Sequence, residues 1–304
     1  MHNINCIFCD IPNSRTAIEE NGFTGRQCNS CSLIYISPRP HLNSIVTIYS
    51  HDDAHIAASS HISGSLLKRL YARHTLNIIK KYKNTGDLLE IGSGGGYFLD
   101  EAQKTGFNSH GIELNPVQSM FIQNTLHIPC EEQLLSPHSF GTQQFDVIYH
   151  SDVISHFYDP IAEFRTMYSK LKEQGVLVFE TGNIGDIKEK YYKEFTRFQY
   201  PDHLFFFSEQ NLEHLLAMTG FKLIKIYRYN ILPQLKLMKL LQRNKLSQQP
   251  GDSLSALVHK KESWKMKMIK KVYHTLSYII RYKLGAVLPK SKRPQTVIIV
   301  AKKI

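Results

Sequence analysis

Long apolar runs are absent from this 304-residue sequence. No stretch reaches the roughly 18 consecutive apolar residues that a membrane-spanning helix needs, so no spanning segment is expected. The first residues also lack a basic stretch followed by an apolar run, so no secretory signal is predicted. With 42% hydrophobic residues, the chain can still bury a sizeable core. We therefore predict a cytoplasmic protein.

Cysteine is scarce, and four of the five cysteines form two C-x2-C pairs: Cys6, Cys9, Cys28 and Cys31. Two such pairs at this separation suit a tetrahedral zinc site of four thiolates, with zinc–sulfur distances of about 2.3 Å. Disulfides are the alternative, and the lack of a secretory signal disfavours them. The sequence therefore predicts a structural zinc ion in a ribbon over residues 1–45. The fifth, Cys130, is interpreted as a small buried residue.

Acidic residues are nearly absent from the last part of the chain. Residues 221–304 carry a balance of +18, whereas residues 1–220 carry −7. Within the basic part, apolar residues recur every four positions and basic residues fill the gaps, which predicts an amphipathic helix over residues 264–283. Such a helix can cover a core, lie on an anionic membrane or contact nucleic acid. Core packing is favoured, peripheral membrane contact comes second, and nucleic acid is disfavoured.

The dinucleotide fingerprint G-x-G-x-x-G is missing from the chain's glycine-rich turn. Gly92, Gly94 and Gly96 instead follow G-x-G-x-G, directly after an apolar strand and two residues after Glu90. Glycines let the backbone approach a ligand closely. A carboxylate at this place repels a pyrophosphate but attracts a cation. S-adenosylmethionine (SAM), which carries an ammonium and a sulfonium and no phosphate, suits this turn better than a dinucleotide does.

A second acid follows at the end of the next strand. Glu113 ends the predicted second strand, residues 107–113, about 20 residues beyond the glycines, where an acid can accept hydrogen bonds from two ribose hydroxyls. Glu113 and the adjacent Leu114 are therefore predicted to bind the cofactor. The alternative interpretation is a solvated acid at a strand end.

Residues 145–160 and 171–180 resemble the fourth strand with its loop, and the entry to the fifth strand, of class I SAM-dependent methyltransferases. The resemblance covers residues 85–229 and returns at 295–304. It implies that the cofactor's adenine lies near Cys130, Glu131 and Glu132, and its methionine end near Glu90, Gly92 and His150. Many relatives carry Glu-His where this chain has Ser155-His156, so the role of that acid is not transferred.

The order of the elements agrees with an α/β fold. Apolar strands alternate with helical stretches, which predicts a seven-stranded, doubly wound Rossmann-like sheet with the last strand antiparallel. The predicted strands are 87–91, 107–113, 128–131, 145–150, 175–181, 221–229 and 296–301. The zinc ribbon is followed by a loop and helical linker, 46–84, and a methyltransferase domain, 85–304. A basic helical insertion, 231–294, lies within that domain.

The acceptor chemistry is predicted to involve residues 198–208. This stretch resembles a region of zinc-bearing sugar-nucleotide C-methyltransferases, and the resemblance implies acceptor-side roles for Tyr200, Asp202 and His203. Because oxygen and carbon acceptors must lose a proton, His203 is predicted as general base, oriented by Asp202, with Tyr200 near the acceptor. His156 is a second candidate.

The predicted function is methyl transfer from SAM to a small molecule, such as a sugar or sugar nucleotide. Two alternatives stay open at this point. One is a nucleotide-binding oxidoreductase, which the glycine spacing and Glu90 disfavour. The other is a non-enzymatic, membrane-associated or scaffold protein that retains the fold.

Overall fold

The computed structural model describes residues 1–50, 62, 65–195, 197–236, 264–287, 289 and 291–304. Most of the loop predicted for residues 50–65, and the middle of the insertion predicted for 231–294, lie outside these ranges. Two sheets, one of four strands and one of seven, organise the described residues. Within the same ranges, every helix is too short or too polar to cross a membrane.

The strands of the described residues are numbered in chain order. They are β1 (Ser14–Glu20), β2 (Phe23–Cys28), β3 (Ile34–Ile36), β4 (Gly86–Ile91), β5 (Phe107–Ile112), β6 (Cys130–Glu131), β7 (Phe145–Ser151), β8 (Leu171–Gly182), β9 (Phe205–Phe206), β10 (Phe221–Asn230) and β11 (Gln295–Lys303). The large sheet has the order β10-β11-β8-β7-β4-β5-β6. Strands β6, β5, β4, β7 and β8 run parallel, while β11 is antiparallel to both of its neighbours. The predicted doubly wound sheet with an antiparallel last strand is confirmed.

The helices are numbered in the same way. They are α1 (Leu42–Ser50), α2 (Ser65–Ile79), α3 (Tyr97–Lys104), α4 (Pro116–Thr125), α5 (Pro160–Lys170), α6 (Glu209–Met218) and α7 (Trp264–Tyr278), and α7 continues into a π-helical turn, Ile279–Lys283. Local sequence sets several of the starts. Asn115 and Asp159 cap the N–H groups of α4 and α5, each followed by proline at the first helical position. Ser208 and Asn211 form a capping box on α6.

Helices cover both faces of the large sheet. One face carries Leu89, Ile148 and Phe179, which belong to the same apolar cluster as residues of α5 and α6; we call it the α5/α6 face. The other face carries Leu88, Val147 and Val178, clustered with residues of α2 and α3; we call it the α2/α3 face. Because β4, β5, β6, β7 and β8 are parallel, their carboxyl ends lie at one edge of the sheet. Ligands of open α/β sheets bind at that edge.

The small sheet joins the N-terminal segment to a short strand from residues 205–206. Strands β1, β2 and β3 form an antiparallel meander over the cysteine-bearing segment. Its fourth strand, β9, comes from residues 205–206, and pairs Phe206 with Ile34 and Phe205 with Tyr35. The segment predicted as a zinc ribbon is thus hydrogen-bonded to the stretch predicted to carry the acceptor residues.

Candidate active site

The glycine-rich turn after β4 has the conformation that close approach of a ligand requires. Gly92, Gly94 and Gly96 have φ angles of 69°, 54° and 68°, which other residues rarely adopt. The N–H of Gly94 donates a 2.6 Å hydrogen bond to the Glu113 carboxylate. The second carboxylate oxygen accepts from the N–H of Asn115 at 2.9 Å, and Leu114 lies between these two residues. The structure therefore brings the predicted acid of β5 to the predicted glycine turn.

Electrostatics at this turn favour a positively charged ligand. Glu90 is buried, and its Oε2 has no hydrogen-bond partner among the described residues. Burial and repulsion by Glu113 raise the pKa of Glu90 well above its ordinary range, and the charge of Lys68 on α2 only partly opposes this. Burial lowers the pKa of Lys68 to about 8, although both carboxylates raise it. A cation bound beside Glu90 would stabilise its ionised form.

Lys68 is a residue that the sequence reasoning missed. It lies in α2 between apolar residues whose spacing predicted a helix, and nothing in that spacing distinguishes a lysine facing a site from one facing solvent. Its proximity to Glu90 and Glu113 results from the packing of α2 on the sheet. A lysine there can pair with a carboxylate of a ligand that carries both charges.

His150 is not brought to the turn, which corrects its predicted cofactor contact. In the parallel register of β4 and β7, Glu90 pairs with Tyr149 and Ile91 pairs with His150, so Glu90 and His150 point to opposite faces of the sheet. The imidazole stacks on Phe179 with ring centroids 5.0 Å apart and contacts Phe157 and Phe164 edge-on. Burial lowers the pKa of His150 to about 3. It is a neutral core residue of the α5/α6 face.

The predicted adenine contacts lie at the end of β6. Glu131 pairs with Ile112, and Cys130 pairs with Gly111, so Cys130, not Glu131, shares a face with Glu90. The Glu131 carboxylate accepts a 2.9 Å hydrogen bond from the N–H of Phe140, while Glu132 is exposed. Cys130 is buried, as predicted. The role of Glu131 stays a prediction.

Three polar side chains form a group: His156, which follows β7, and Asp202 and His203, which lie between β8 and β9. The Nδ1 of His156 is 3.2 Å from the Asp202 carboxylate, and the rings of His156 and His203 are 4.6 Å apart. The group is close to the turn, because a Cβ on Gly92 would lie 2.5 Å from the side chain of Val153, three residues before His156. Asp202 pairs with His156, and its carboxylate also lies within 4.8 Å of a ring nitrogen of His203. The predicted orientation of His203 by Asp202 stays a prediction.

The two imidazoles have opposite pKa shifts. Burial lowers the pKa of His156, but the hydrogen bond and charge of Asp202 outweigh it, and the net shift is upward. Burial, with repulsion from His156, lowers the pKa of His203 to about 4. Its Nδ1 is buried without a hydrogen-bond partner among the described residues. Neighbouring groups whose pKa values are pushed apart are the usual pattern of acid–base pairs.

Tyr200 is placed differently from its prediction. Its ring lies against the backbone of Gly25, where a Cβ would collide with the phenol, and stacks on Phe206. The hydroxyl is buried without a partner among the described residues, and burial raises the pKa of Tyr200. The side chain therefore packs beneath the N-terminal sheet, and its predicted position near the acceptor is corrected.

The end of β1 holds the loop that carries Asp202 and His203. The Glu20 carboxylate accepts hydrogen bonds from the N–H groups of Phe198 and Tyr200, at 2.7 and 2.8 Å. The Asn21 side chain donates to the carbonyl of Tyr200 at 2.8 Å. We call these contacts the β1 clamp. These hydrogen bonds hold the backbone of residues 198–200, shortly before Asp202, in place. No sequence motif indicates this role.

The predicted basic insertion also reaches this edge of the sheet. Arg281, in the π-helical turn after α7, pairs with the buried Glu180 near the end of β8 at 2.5 Å, and the Tyr282 hydroxyl bonds the same carboxylate at 3.0 Å. The charges of Arg281 and His156 both lower the pKa of Asp152, against the larger effect of burial. Arg281 thus joins the polar surroundings of the site; the sequence showed it only as one basic residue of an amphipathic pattern.

The four N-terminal cysteines converge. Cys6, Cys9, Cys28 and Cys31 are free thiols whose sulfur atoms all lie within 4.8 Å of one another. The Sγ atoms of Cys6 and Cys31 are 3.4 Å apart. Four sulfur donors on two C-x2-C turns are a donor set that fits tetrahedral zinc.

Comparison with known proteins identifies a family that this chain matches. A family model described as a methyltransferase domain matches residues 64–226, more than half of the chain. The match begins at α2 and ends within β10, so it includes the glycine turn, Glu113 and the His156 group. No curated protein matches the chain significantly.

Several solved structures are similar in fold. A SAM-dependent methyltransferase from Archaeoglobus fulgidus is 18% identical, covers 77% of this chain and 93% of its own, and has a TM-score of 0.48. Coclaurine N-methyltransferase bound to N-methylheliamine and SAH is 12% identical, with coverages of 76% and 70% and a TM-score of 0.47. The phosphoethanolamine N-methyltransferase 2 of Haemonchus contortus is 20% identical, with coverages of 76% and 52% and a TM-score of 0.44.

The family match favours methyl transfer over the oxidoreductase alternative, in agreement with the spacing of the glycines. With the seven-stranded sheet, the glycine turn and the acid of β5 in place, the chain belongs to the methyltransferase domain family of class I SAM-dependent enzymes.

Proposed function

We propose that this protein transfers a methyl group from SAM to a small polar acceptor at the carboxyl edge of its large sheet. The observation that carries the proposal is the position of two groups of residues at that edge. The glycine turn with Glu90 and Glu113 lies beside the His156–Asp202–His203 group. The first group suits a cationic nucleoside, and the second suits removal of a proton.

The residues around the turn fit SAM. Glu113 would accept hydrogen bonds from the ribose hydroxyls, and the N–H groups of the glycine turn would border the ligand. The buried Glu90 would face the positively charged methionine end, and Lys68, whose charge already acts on Glu90 and Glu113, would pair with its carboxylate. Leu114 and Glu131 would lie toward the adenine. When bound, SAM supplies an electrophilic methyl group on its sulfonium.

His156 is the better general base of the two imidazoles. Its contact with Asp202 fixes its orientation and stabilises the imidazolium that forms when it accepts a proton. His203 has a pKa of about 4, so it is neutral near pH 7 but a weak base. We assign His156 as base, Asp202 as the residue that orients it, and His203 as a neutral group that contacts the acceptor.

The acceptor is proposed to be a sugar or sugar nucleotide. Support comes from the resemblance of residues 198–208 to sugar-nucleotide C-methyltransferases, and from the polar character of the site, where Asp152, His156, Asp202 and Arg281 occur together. Groups of this kind suit an acceptor rich in hydroxyls. The position of Tyr200 beneath the N-terminal sheet departs from the acceptor role that the resemblance implied.

We further propose that the four cysteines hold one structural zinc ion. The convergence of their sulfur atoms supports this. With four thiolates as ligands, no coordination position would be left for a reacting molecule. The ion would hold together a segment that is too short to build a core of its own.

SAM binding is the first test. Calorimetry with the full chain should detect binding of SAM and none of a dinucleotide. Glu113→Ala should weaken SAM binding by at least about tenfold, because it leaves buried hydroxyls unpaired at about 1–3 kcal/mol each. Glu173→Ala, which removes an exposed carboxylate from another strand, is the control.

The acceptor is tested separately. Methyl-labelled SAM, incubated with the protein and a panel of sugar nucleotides, should label one of them in a His156-dependent way. Binding of SAM with no labelled sugar would overturn the acceptor class and leave the cofactor assignment intact. Binding of a dinucleotide in place of SAM would overturn the proposed function as a whole.

A further inference from the structure

Helix α7 exposes an unusual amount of apolar surface. Met268, Val272, Leu276 and Ile279 are between 37% and 63% exposed, and Leu284, just beyond the π-helical turn, is 76% exposed. Of the fourteen large apolar side chains that are exposed in the described residues, five thus fall within 17 residues of sequence. Scattered exposed apolar residues are normal, but a concentration of this kind marks an interaction surface.

The exposed residues form one stripe. Positions 268, 272, 276 and 279 follow spacings of four, four and three, so they share one face of the helix. The opposite face is occupied: Ser277 is buried and accepts a hydrogen bond from Gln234, which also bonds Tyr71 of α2. The core packing favoured by the sequence therefore uses one face of α7, and the apolar stripe is a second face.

Charge indicates what the stripe contacts. Residues 264–283 contain five lysines, one arginine and no Asp or Glu. The arginine, Arg281, is paired with Glu180, so the lysines supply the charge beside the stripe. Lys271 and Lys283 are exposed along α7 and at its end. An apolar stripe flanked by lysines matches a bilayer surface of anionic lipid, where the apolar side chains enter the acyl boundary and the lysines stay among the headgroups.

We propose that the stripe of α7 docks this protein on an anionic membrane surface. The docking is interfacial, since the helix is neither long nor apolar enough to cross a bilayer. It rests on the proposed function in one respect only: Arg281 and Tyr282 immediately follow the stripe, so docking would place the acceptor site next to the membrane.

Vesicle flotation with the full chain tests the proposal. The protein should bind vesicles that contain phosphatidylserine at least tenfold more tightly than vesicles of phosphatidylcholine alone. Binding should fade as salt rises from 0.1 M to 1 M, where the Debye length falls from about 10 Å to about 3 Å. Equal binding to both kinds of vesicle, or none to either, would overturn the proposal.

Paired variants locate the surface. Val272→Ser with Leu276→Ser should weaken binding to anionic vesicles at least tenfold. Met218→Ser with Ile224→Ser, which removes exposed apolar residues from α6 and β10, should leave binding unchanged. Wild-type binding by the first pair would overturn the assignment. SAM binding is measured on each variant, so a loss of vesicle binding is distinguished from a failure of the proposed function.

Two other occupants of the stripe would be recognised in the same experiments. If another part of the chain covers it, the Val272→Ser, Leu276→Ser pair should lower the melting temperature, and no vesicle binding should occur. If a second copy covers it, sedimentation equilibrium without lipid should show a dimer that this pair dissociates. Either result contradicts membrane docking.

Discussion

At the scale of single residues, the carboxylates beside the glycine turn have surroundings that oppose their charge. Glu90 is buried beside Glu113, and Lys68, whose charge acts on both carboxylates, is itself partly desolvated. Without a ligand, this arrangement favours the protonated acid. A cationic ligand reverses the preference, so the site is most complementary to a molecule that brings its own positive charge.

Binding of SAM should therefore release a proton. The pKa of Glu90 is raised before binding and falls when the cation arrives, so affinity should increase as the pH rises toward and through the raised pKa. Calorimetry in two buffers of different ionisation enthalpy would show a heat difference proportional to the protons released. Glu90→Gln should remove that difference; an identical difference in the variant would show that another group titrates.

We expect Asp202 to set the pH below which activity falls. Asp202 raises the pKa of His156 against the effect of burial, and His156 must be neutral to act as base. Activity should therefore fall as the pH drops through this raised pKa. In Asp202→Asn the pKa of His156 should fall, so the acid limb of kcat/KM should move to lower pH. The plateau of kcat/KM should drop by about 10²- to 10⁴-fold. If the acid limb of kcat/KM does not move in Asp202→Asn, His156 is not the titrating base. His203→Gln is the matched control variant.

At the scale of secondary-structure elements, the strand ends could be predicted, but several side-chain directions could not. The glycine turn and Glu113 were found because apolar strands ending in glycine or acid are local patterns. His150 was misplaced because one residue of register reverses the face to which a side chain points. Lys68 and Arg281 were missed because their positions depend on how α2 and the turn after α7 pack on the sheet, which local periodicity does not specify.

The β1 clamp offers a test at this scale. Glu20→Gln weakens both hydrogen bonds to the loop before Asp202, so the loop should become less ordered and kcat should fall by about tenfold or more. SAM affinity should stay unchanged, since the glycine turn is not involved. Glu19→Gln, the exposed neighbour on the same strand, is the control. An equal loss in both variants would mean that the charge of β1, not the clamp, matters.

At the scale of the whole molecule, the N-terminal segment forms one structure with residues 198–208, which we call the acceptor loop after their proposed role. Strand β9 completes the small sheet, Asn211 of α6 donates to the carbonyl of Cys31, and the β1 clamp adds its hydrogen bonds. The sequence predicted the cysteine site and the large seven-stranded sheet as separate features. It could not predict their connection, because residues 34 and 206 pair across most of the chain.

The metal content of the purified protein tests the proposed zinc site. Elemental analysis of protein purified without chelator should find one zinc ion per chain, and Cys9→Ser should lose it. Because the same sheet supports the acceptor loop, this variant should also lose kcat before it loses SAM binding. Cys130→Ser, which alters the cysteine outside the cluster, should keep its zinc. A metal-free protein with two disulfides would contradict the assignment.

Because β3 pairs with β9, binding of a metal ion by the cysteines and binding of the acceptor at the loop would be thermodynamically coupled. If an ion among the cysteines favours the ordered loop, an acceptor that needs the ordered loop must, by reciprocity, favour retention of the ion. Protein saturated with acceptor would then hold its zinc more tightly, so a higher chelator concentration would be needed to remove the ion. Bound acceptor would therefore stabilise the zinc-bound fold. At low zinc concentration, molecules without acceptor would lose the ion first.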